Sequence, residues 1–420
     1  MNSIKVSNLR NSLNNTNFKI VFLCLLFFLL FLFFTKGSLG NLGFKKYSEL
    51  NQIQGKNLSF SELSKFFKEL ALKKGAEYAF GALNVAQLPP NTDFHLLGHA
   101  VGDILYKQQG LNGIKVCTQD FRNSCSHSIV VGLFIDKGVE ALEDISKVCR
   151  EAPGGTGAYG MCFHGLGHGI LAYTGYNMEK AVDLCKKTGT QALNYVETAE
   201  CIGGITMEMV AGVHDKKAWE LQKDNYLKNS DPLFPCNQPF IPAVAKPNCF
   251  IYLTPHLWEA AGGNIDDPKE KDFTKAFTFC SKLTGVNEVY QDVCYGGFGK
   301  EFVGLSMARD IRKISDMGDK QLLQVYEWCL LAKETKAVRS CLFMAINSIY
   351  WGGENKPTTV VNFCKVMNEP TFKNSCYEHS IGAFKFYNAR TPSKLNGMCS
   401  ILPENYKSRC LDLNYYEPLE

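Results

Sequence analysis

A chain of 420 residues is long enough for two or three ordinary domains or for one elongated repeat array. Apolar residues make up 45% of it, and 45 basic residues face 41 acidic ones for a formal net charge of +4. That balance carries no electrostatic footprint for nucleic acid, and no block of five like charges supplies a polyionic tail.

The first distinct element is "IVFLCLLFFLLFLFF", residues 20–34, which are 15 uncharged apolar residues preceded by Lys5, Arg10 and Lys19. The basic flank predicts a cytoplasmic N-terminus and places everything after residue 35 outside the cytoplasm. The length suits a signal-peptide core, and also a spanning anchor once Phe18, Thr35 and a snorkelling Lys19 are added. The expected layout is a cytoplasmic tail at 1–18, a membrane signal anchor (or signal-peptide core) at 19–35 and a linker at 36–58. An extracytoplasmic helical domain at 59–413 and a tail at 414–420 complete it. On this reading the protein is single-pass, held to the membrane by that helix, with its bulk in the periplasm, the extracellular space or a lumen.

Next comes "SFSE", in which Ser59 and Glu62 have the spacing of a capping box and open a helical hairpin over 59–85. "PPNTDF" then predicts a helix start at Thr92 or Asp93. From residue 117 onward the chain is punctuated by cysteines. Of the 17, Cys24 lies in the apolar segment and 16 remain, which is an even number. In order they form Cys117/Cys125, Cys149/Cys162, Cys185/Cys201, Cys236/Cys249, Cys280/Cys294, Cys329/Cys341, Cys364/Cys376 and Cys399/Cys410. Evenly paired cysteines in an exported chain predict a disulfide framework, and the lack of any C-x-x-C weakens a cysteine metal site.

Before several first cysteines, apolar residues recur seven, four and three positions upstream, as with Phe273, Ala276 and Phe277 before Cys280. That is one face of an α-helix. After the second cysteine another apolar stretch runs toward glycine, as in "CIGGITMEMVAG". The unit is therefore helix, cysteine, loop, cysteine, helix, with the second cysteine expected to start the second helix. First cysteines recur at intervals from 32 residues (Cys117 to Cys149) to 51 (Cys185 to Cys236), the period of stacked helical hairpins. The predicted fold is all-α: disulfide-stapled helical-hairpin repeats, an α-solenoid or superhelix, behind the membrane anchor.

In these features the chain resembles the cysteine-rich Sel1-like and tetratricopeptide-like helical repeat proteins, over about residues 59–413. The resemblance implies stapled helix pairs and a protein–protein role. It carries over no functional residue, and the irregular period departs from those families.

The chemistry lies in the histidines. "DFHLLGH" (93–99) and "CFHGLGH" (162–168) agree at five of seven positions, and "CSH" places His127 at the same offset. Five of the 8 histidines, His95, His99, His127, His164 and His168, thus occupy equivalent places in consecutive units. Histidines at i and i+4 share a helix face, and Asp103 extends the first stripe to i+8. Aligned on neighbouring helices they form a candidate zinc, iron or copper site, since neutral imidazole suits all three. Glu208 and Glu301, each seven residues after a second cysteine, are further candidate carboxylates. His214, His256 and His379 fall at other offsets and read as incidental.

Two alternatives stand beside the metal site. The histidines and glycines of "HGLGH" also fit a helix-packing consensus or a hydrogen-bonded, pH-sensitive network. The functional expectation is thus an extracytoplasmic metal-binding protein, with metal-dependent catalysis open, set against a non-catalytic scaffold for a protein partner. No phosphate loop, G-x-S-x-G or H-E-x-x-H is present.

Overall fold

The computed structural model describes residues 46–152, 155–188, 194–283, 288–351, 354–388 and 392–412. The expected membrane segment at 19–35 lies outside them, as does the expected tail at 414–420. Among the described residues no helix is long and apolar enough to cross a membrane. By internal contact the chain falls into two units. The smaller, Met1–Lys56 with Val85–Leu88, includes a 3-10 turn at Ser48–Gln52 within the expected linker. The larger, Asn57–Asn84 with Pro89–Glu420, holds the disulfides and the histidines.

The described residues are all-helical, with one isolated bridge between Lys228 and Asp231 in place of any sheet. The chain opens with α1 (Phe60–Lys74) and α2 (Ala76–Val85), of which α1 packs on the later helix Phe94–Gln109 rather than forming a hairpin with α2, and the Ser59–Glu62 capping box is formed in both directions. There follow α3 (Phe94–Gln109), α4 (Asp120–Lys137), α5 (Leu142–Glu151), α6 (Gly155–Tyr173), α7 (Met178–Cys185) and α8 (Asn194–Ala211). Beyond them lie α9 (Lys216–Tyr226), α10 (Lys246–Ala260), α11 (Glu270–Ser281), α12 (Glu288–Ser306), α13 (Asp319–Leu330) and α14 (Thr335–Tyr350). The last are α15 (Pro357–Val366), α16 (Pro370–Asn388), α17 (Pro392–Cys399) and α18 (Glu404–Leu411).

All eight cysteine pairs form between sequence neighbours, with Cα atoms 5.5–5.7 Å apart, inside the normal disulfide range. The second cysteine does not start its helix, contrary to the sequence reading. Cys162 and Cys201 lie two turns inside α6 and α8, and Cys341 is equally deep in α14. The physical reason is that the connection between the helices is brief. In most pairs about half of the intervening residues already belong to the next helix, so the bridge ties the end of one helix to the second turn of the following one; Cys236 instead lies in a turn after α9 and meets Cys249 in the first turn of α10. Each closes a loop worth about 3 kcal/mol on the chain-entropy account.

The long helices stack in chain order, α3 on α4, then α6, α8, α10, α12, α14 and α16, and each short helix seats against the long ones it connects. Within the larger unit the row also meets itself across long stretches of chain. Asn91 donates its backbone N–H to the Ala308 carbonyl at 2.8 Å, Arg309 pairs with Asp93, and Arg312 lies 3.7 Å from the Phe94 ring centre. Arg122 donates to Ser348 Oγ at 2.8 Å. These contacts turn the inner faces of α3, α4, α6, α8, α10 and α12 toward a shared interior.

Candidate metal centre

His95 and His99 stand one above the other on α3, and His164 and His168 do the same on α6. α4 passes between these helices and inserts His127. It can do so because "HGLGH" keeps the helix surface bare: a Cβ at Gly165 would stand 2.6 Å from the His127 Cα, and on the other side of α6 one at Gly204 of α8 would stand 1.9 Å from the His164 carbonyl oxygen. The glycines therefore do pack helices, as the packing reading expects. Their close approach is also what brings the imidazoles together.

The five imidazoles form one cluster. Adjacent rings lie between 4.7 Å (His95 to His99) and 6.1 Å (His127 to His168) centre to centre, and His127 neighbours all four others. One nitrogen from each of His95, His99, His127 and His168 lies within 4.8 Å of the other three, a grouping that can hold a metal ion. His164 abuts His127 and His168 but turns its Nε2 to Met207 Sδ at 3.4 Å.

Hydrogen bonds fix the tautomers of His95 and His168. The Phe121 carbonyl can only accept, so His95 Nδ1, 2.7 Å away, is the N–H and His95 Nε2 is a lone pair. Ser128 gives its single hydroxyl proton to the His99 carbonyl at 3.0 Å. The same hydroxyl stands 3.3 Å from His99 Nδ1. His168 Nδ1 donates to Glu208 at 3.0 Å, which leaves His168 Nε2 a lone pair. Carboxylates and carbonyls behind imidazoles are the usual way to orient metal-binding histidines. His95 Nε2 and His99 Nε2 meet at 3.2 Å, with the lone pair of His95 turned toward His99. Both nitrogens of His127 and Nε2 of His168 are buried with no hydrogen-bond partner.

Burial holds the cluster neutral. It pushes His95 down to about 4, and His99, His127 and His164 well below the ordinary histidine value. His168 is also lowered by burial, with Glu208 acting in the opposite direction. Uncharged imidazole is the form that ligates.

Glu208 is fully buried. Burial pushes its carboxyl up, but His214 and His168 outweigh that and hold it well below the ordinary value. It accepts from the Val213 and His214 backbone N–H groups at 2.8 and 3.0 Å, from the Tyr176 hydroxyl, and from His168 and His214 Nδ1. With both oxygens so occupied, its role in the grouping His168–Glu208–His214 is to brace the two imidazoles.

His214 is not incidental, and the sequence reading needs correction here. Gly212 (φ +61°) ends α8 and folds the chain back, so that His214 packs 5.4 Å from the His99 ring and donates to the carboxylate six residues before it. A histidine six residues from a helical glutamate, across a helix-ending glycine, was the available signal. Asp103 belongs to neither ligand-distance group and bears on the site only through the field it exerts on His214. Glu301 pairs with Lys300 and also stands outside both groups. Of the other two, His256 is buried on α10 and His379 stacks on Phe343 at 4.1 Å. Glu200 was missed from sequence as well. Its carboxyl lies 3.9 Å from His164 Nδ1, and burial raises it to about 7.

A cavity of about 630 Å³ opens beside the cluster, with His95, His127 and His164 in its wall. No family model, curated protein or solved structure matches this chain.

Proposed function

We propose that the protein is a membrane-tethered, extracytoplasmic metalloprotein that holds one transition-metal ion on His95, His99, His127 and His168. The observation that carries this reading is the convergence of four buried imidazoles whose nitrogens lie within 4.8 Å of one another, those of His127 and His168 Nε2 without a hydrogen-bond partner. His95 Nε2 and His99 Nε2 stand 3.2 Å apart. Two ligands of a tetrahedral ion with metal–nitrogen bonds of about 2.0–2.1 Å lie about 3.3 Å apart. An all-imidazole set suits copper, zinc or iron. Eight disulfides support an oxidising compartment, and residues 19–35 supply the tether. The stapled helix pairs form a strongly curved superhelix of the Sel1-like or tetratricopeptide-like kind, and its inner face carries the metal. Because His95 and His127 also face the cavity, these residues would hold the ion beside a small-molecule site, where it would supply Lewis-acid chemistry if one coordination position opened.

Elemental analysis of the purified protein tests the metal. About one equivalent of copper, zinc or iron is expected, lost in the His95→Ala/His168→Ala double variant. A folded wild-type protein with no metal, and with no uptake of any of the three on dialysis, refutes the centre. The scaffold reading would then stand in its place.

A further inference from the structure

The cavity beside the histidines contains three cations, and two of them are spoken for. Lys300 pairs with Glu301 and Arg309 pairs with Asp93. Arg122 is different. It makes no ion pair among the described residues. Its one hydrogen bond goes to the neutral Ser348 hydroxyl at 2.8 Å, its guanidinium lies 4.7 Å from the centre of the Trp351 ring, and its Nε is buried without an acceptor. Glu301, Glu354 and Asp93 act on it only through space. A partly buried cation without a counter-ion presents an uncompensated charge to the cavity.

The backbone adds a second cost at the same place. Phe121, Arg122 and Asn123 have φ of +55°, +55° and +64°, three successive left-handed residues without a glycine. Side chains disfavour that region, and such strain collects at functional sites. The turn has two products. Its Phe121 carbonyl orients His95, and its Arg122 side chain enters the cavity. The same strained segment thus sets both the histidine wall and the unpaired cation.

We propose that this cavity binds a small molecule with one carboxylate or phosphate group on an apolar body, and that Arg122 is its anchor. A planar guanidinium offers paired N–H donors that match either anion. Tyr252, Met161, Met207 and Trp351 supply apolar wall around it. About 630 Å³ lies within the range of ordinary small-molecule sites. This names the substrate class for the proposed metalloprotein, although the anion site itself does not require the ion.

Calorimetric titration of the full-length protein with benzoate, phenyl phosphate and benzyl alcohol tests it, in metal-loaded and chelator-treated samples. One or both anions bind, and benzyl alcohol binds at least tenfold more weakly. The two anion arms separate a carboxylate from a phosphate ligand. Arg122→Met weakens anion binding at least tenfold. Arg122→Lys keeps the charge but loses the fork, and falls between Arg122→Met and wild type. If Arg122→Met does not fold, Arg122→Lys carries the test. Failure of both anions to bind, or binding unchanged in the Arg122 variants, overturns the proposal. Anion binding by a protein that takes up no metal would sink the metal centre and leave this site standing.

Discussion

Replacing Glu208 with glutamine removes one charge and almost no volume, so its consequences can be worked from the hydrogen bonds alone. Oε1 accepts from two backbone N–H groups and the Tyr176 hydroxyl, and must stay an oxygen. The new NH2 therefore takes the place of Oε2, 3.0 Å from His168 Nδ1 and 2.9 Å from His214 Nδ1. Both imidazoles must then accept at Nδ1, which moves their protons to Nε2. For His168 that proton points into the ligand cluster and replaces a lone pair. Metal affinity should fall about 10- to 100-fold, the usual cost of losing such a brace. Breaking a fully buried charge pair with His214 should also cost about 3 kcal/mol of stability or more. Competition against a calibrated chelator reads the first effect, and urea denaturation of the metal-free protein reads the second. If Glu208→Gln holds metal as tightly as wild type, the proton assignments at His168 are wrong and the four-histidine centre loses its support.

Acid should destabilise the metal-free protein. His95 titrates near 4 when folded because burial disfavours its charge, whereas an unfolded histidine titrates near 6.5. The unfolded chain thus takes up a proton that the folded one refuses. The stability is complete above pH 6.5 and lost as pH falls toward 4, about 3 kcal/mol for this residue alone. Urea midpoints of chelator-treated protein at pH 7 and pH 4.5 check this, and equal midpoints would contradict the burial. Gly165→Ala puts a methyl against the His127 backbone and should cost about 1–3 kcal/mol while shifting His127 out of line. Thermal denaturation together with metal content tests it, and an unaffected variant would mean that α4 and α6 can separate freely.

The sequence by itself determined the helices, their stapling and the donor types. Apolar spacing before Cys280 or Cys329 marks one buried helix face because the α-helical period is a local property of the chain. Neighbouring cysteines pair because each helix hairpin brings them together. The likeness of "DFHLLGH" to "CFHGLGH" singled out His95, His99, His164 and His168 because repeated units place equivalent residues alike. Tertiary structure alone decided the rest. Whether Asp103 or His214 stands by the cluster depends on how the chain turns after α8, which no helical spacing encodes. The burial of Glu208 depends on Tyr176 and on the loop at Val213 and His214 closing over it, so the sequence offered it only as a candidate carboxylate. Arg122 drew no notice in sequence, since its importance comes from a left-handed backbone and from missing partners. Periodicity reports which residues share a face. Which faces meet, and which charges are left uncompensated where they meet, is settled only by packing between segments far apart in the chain.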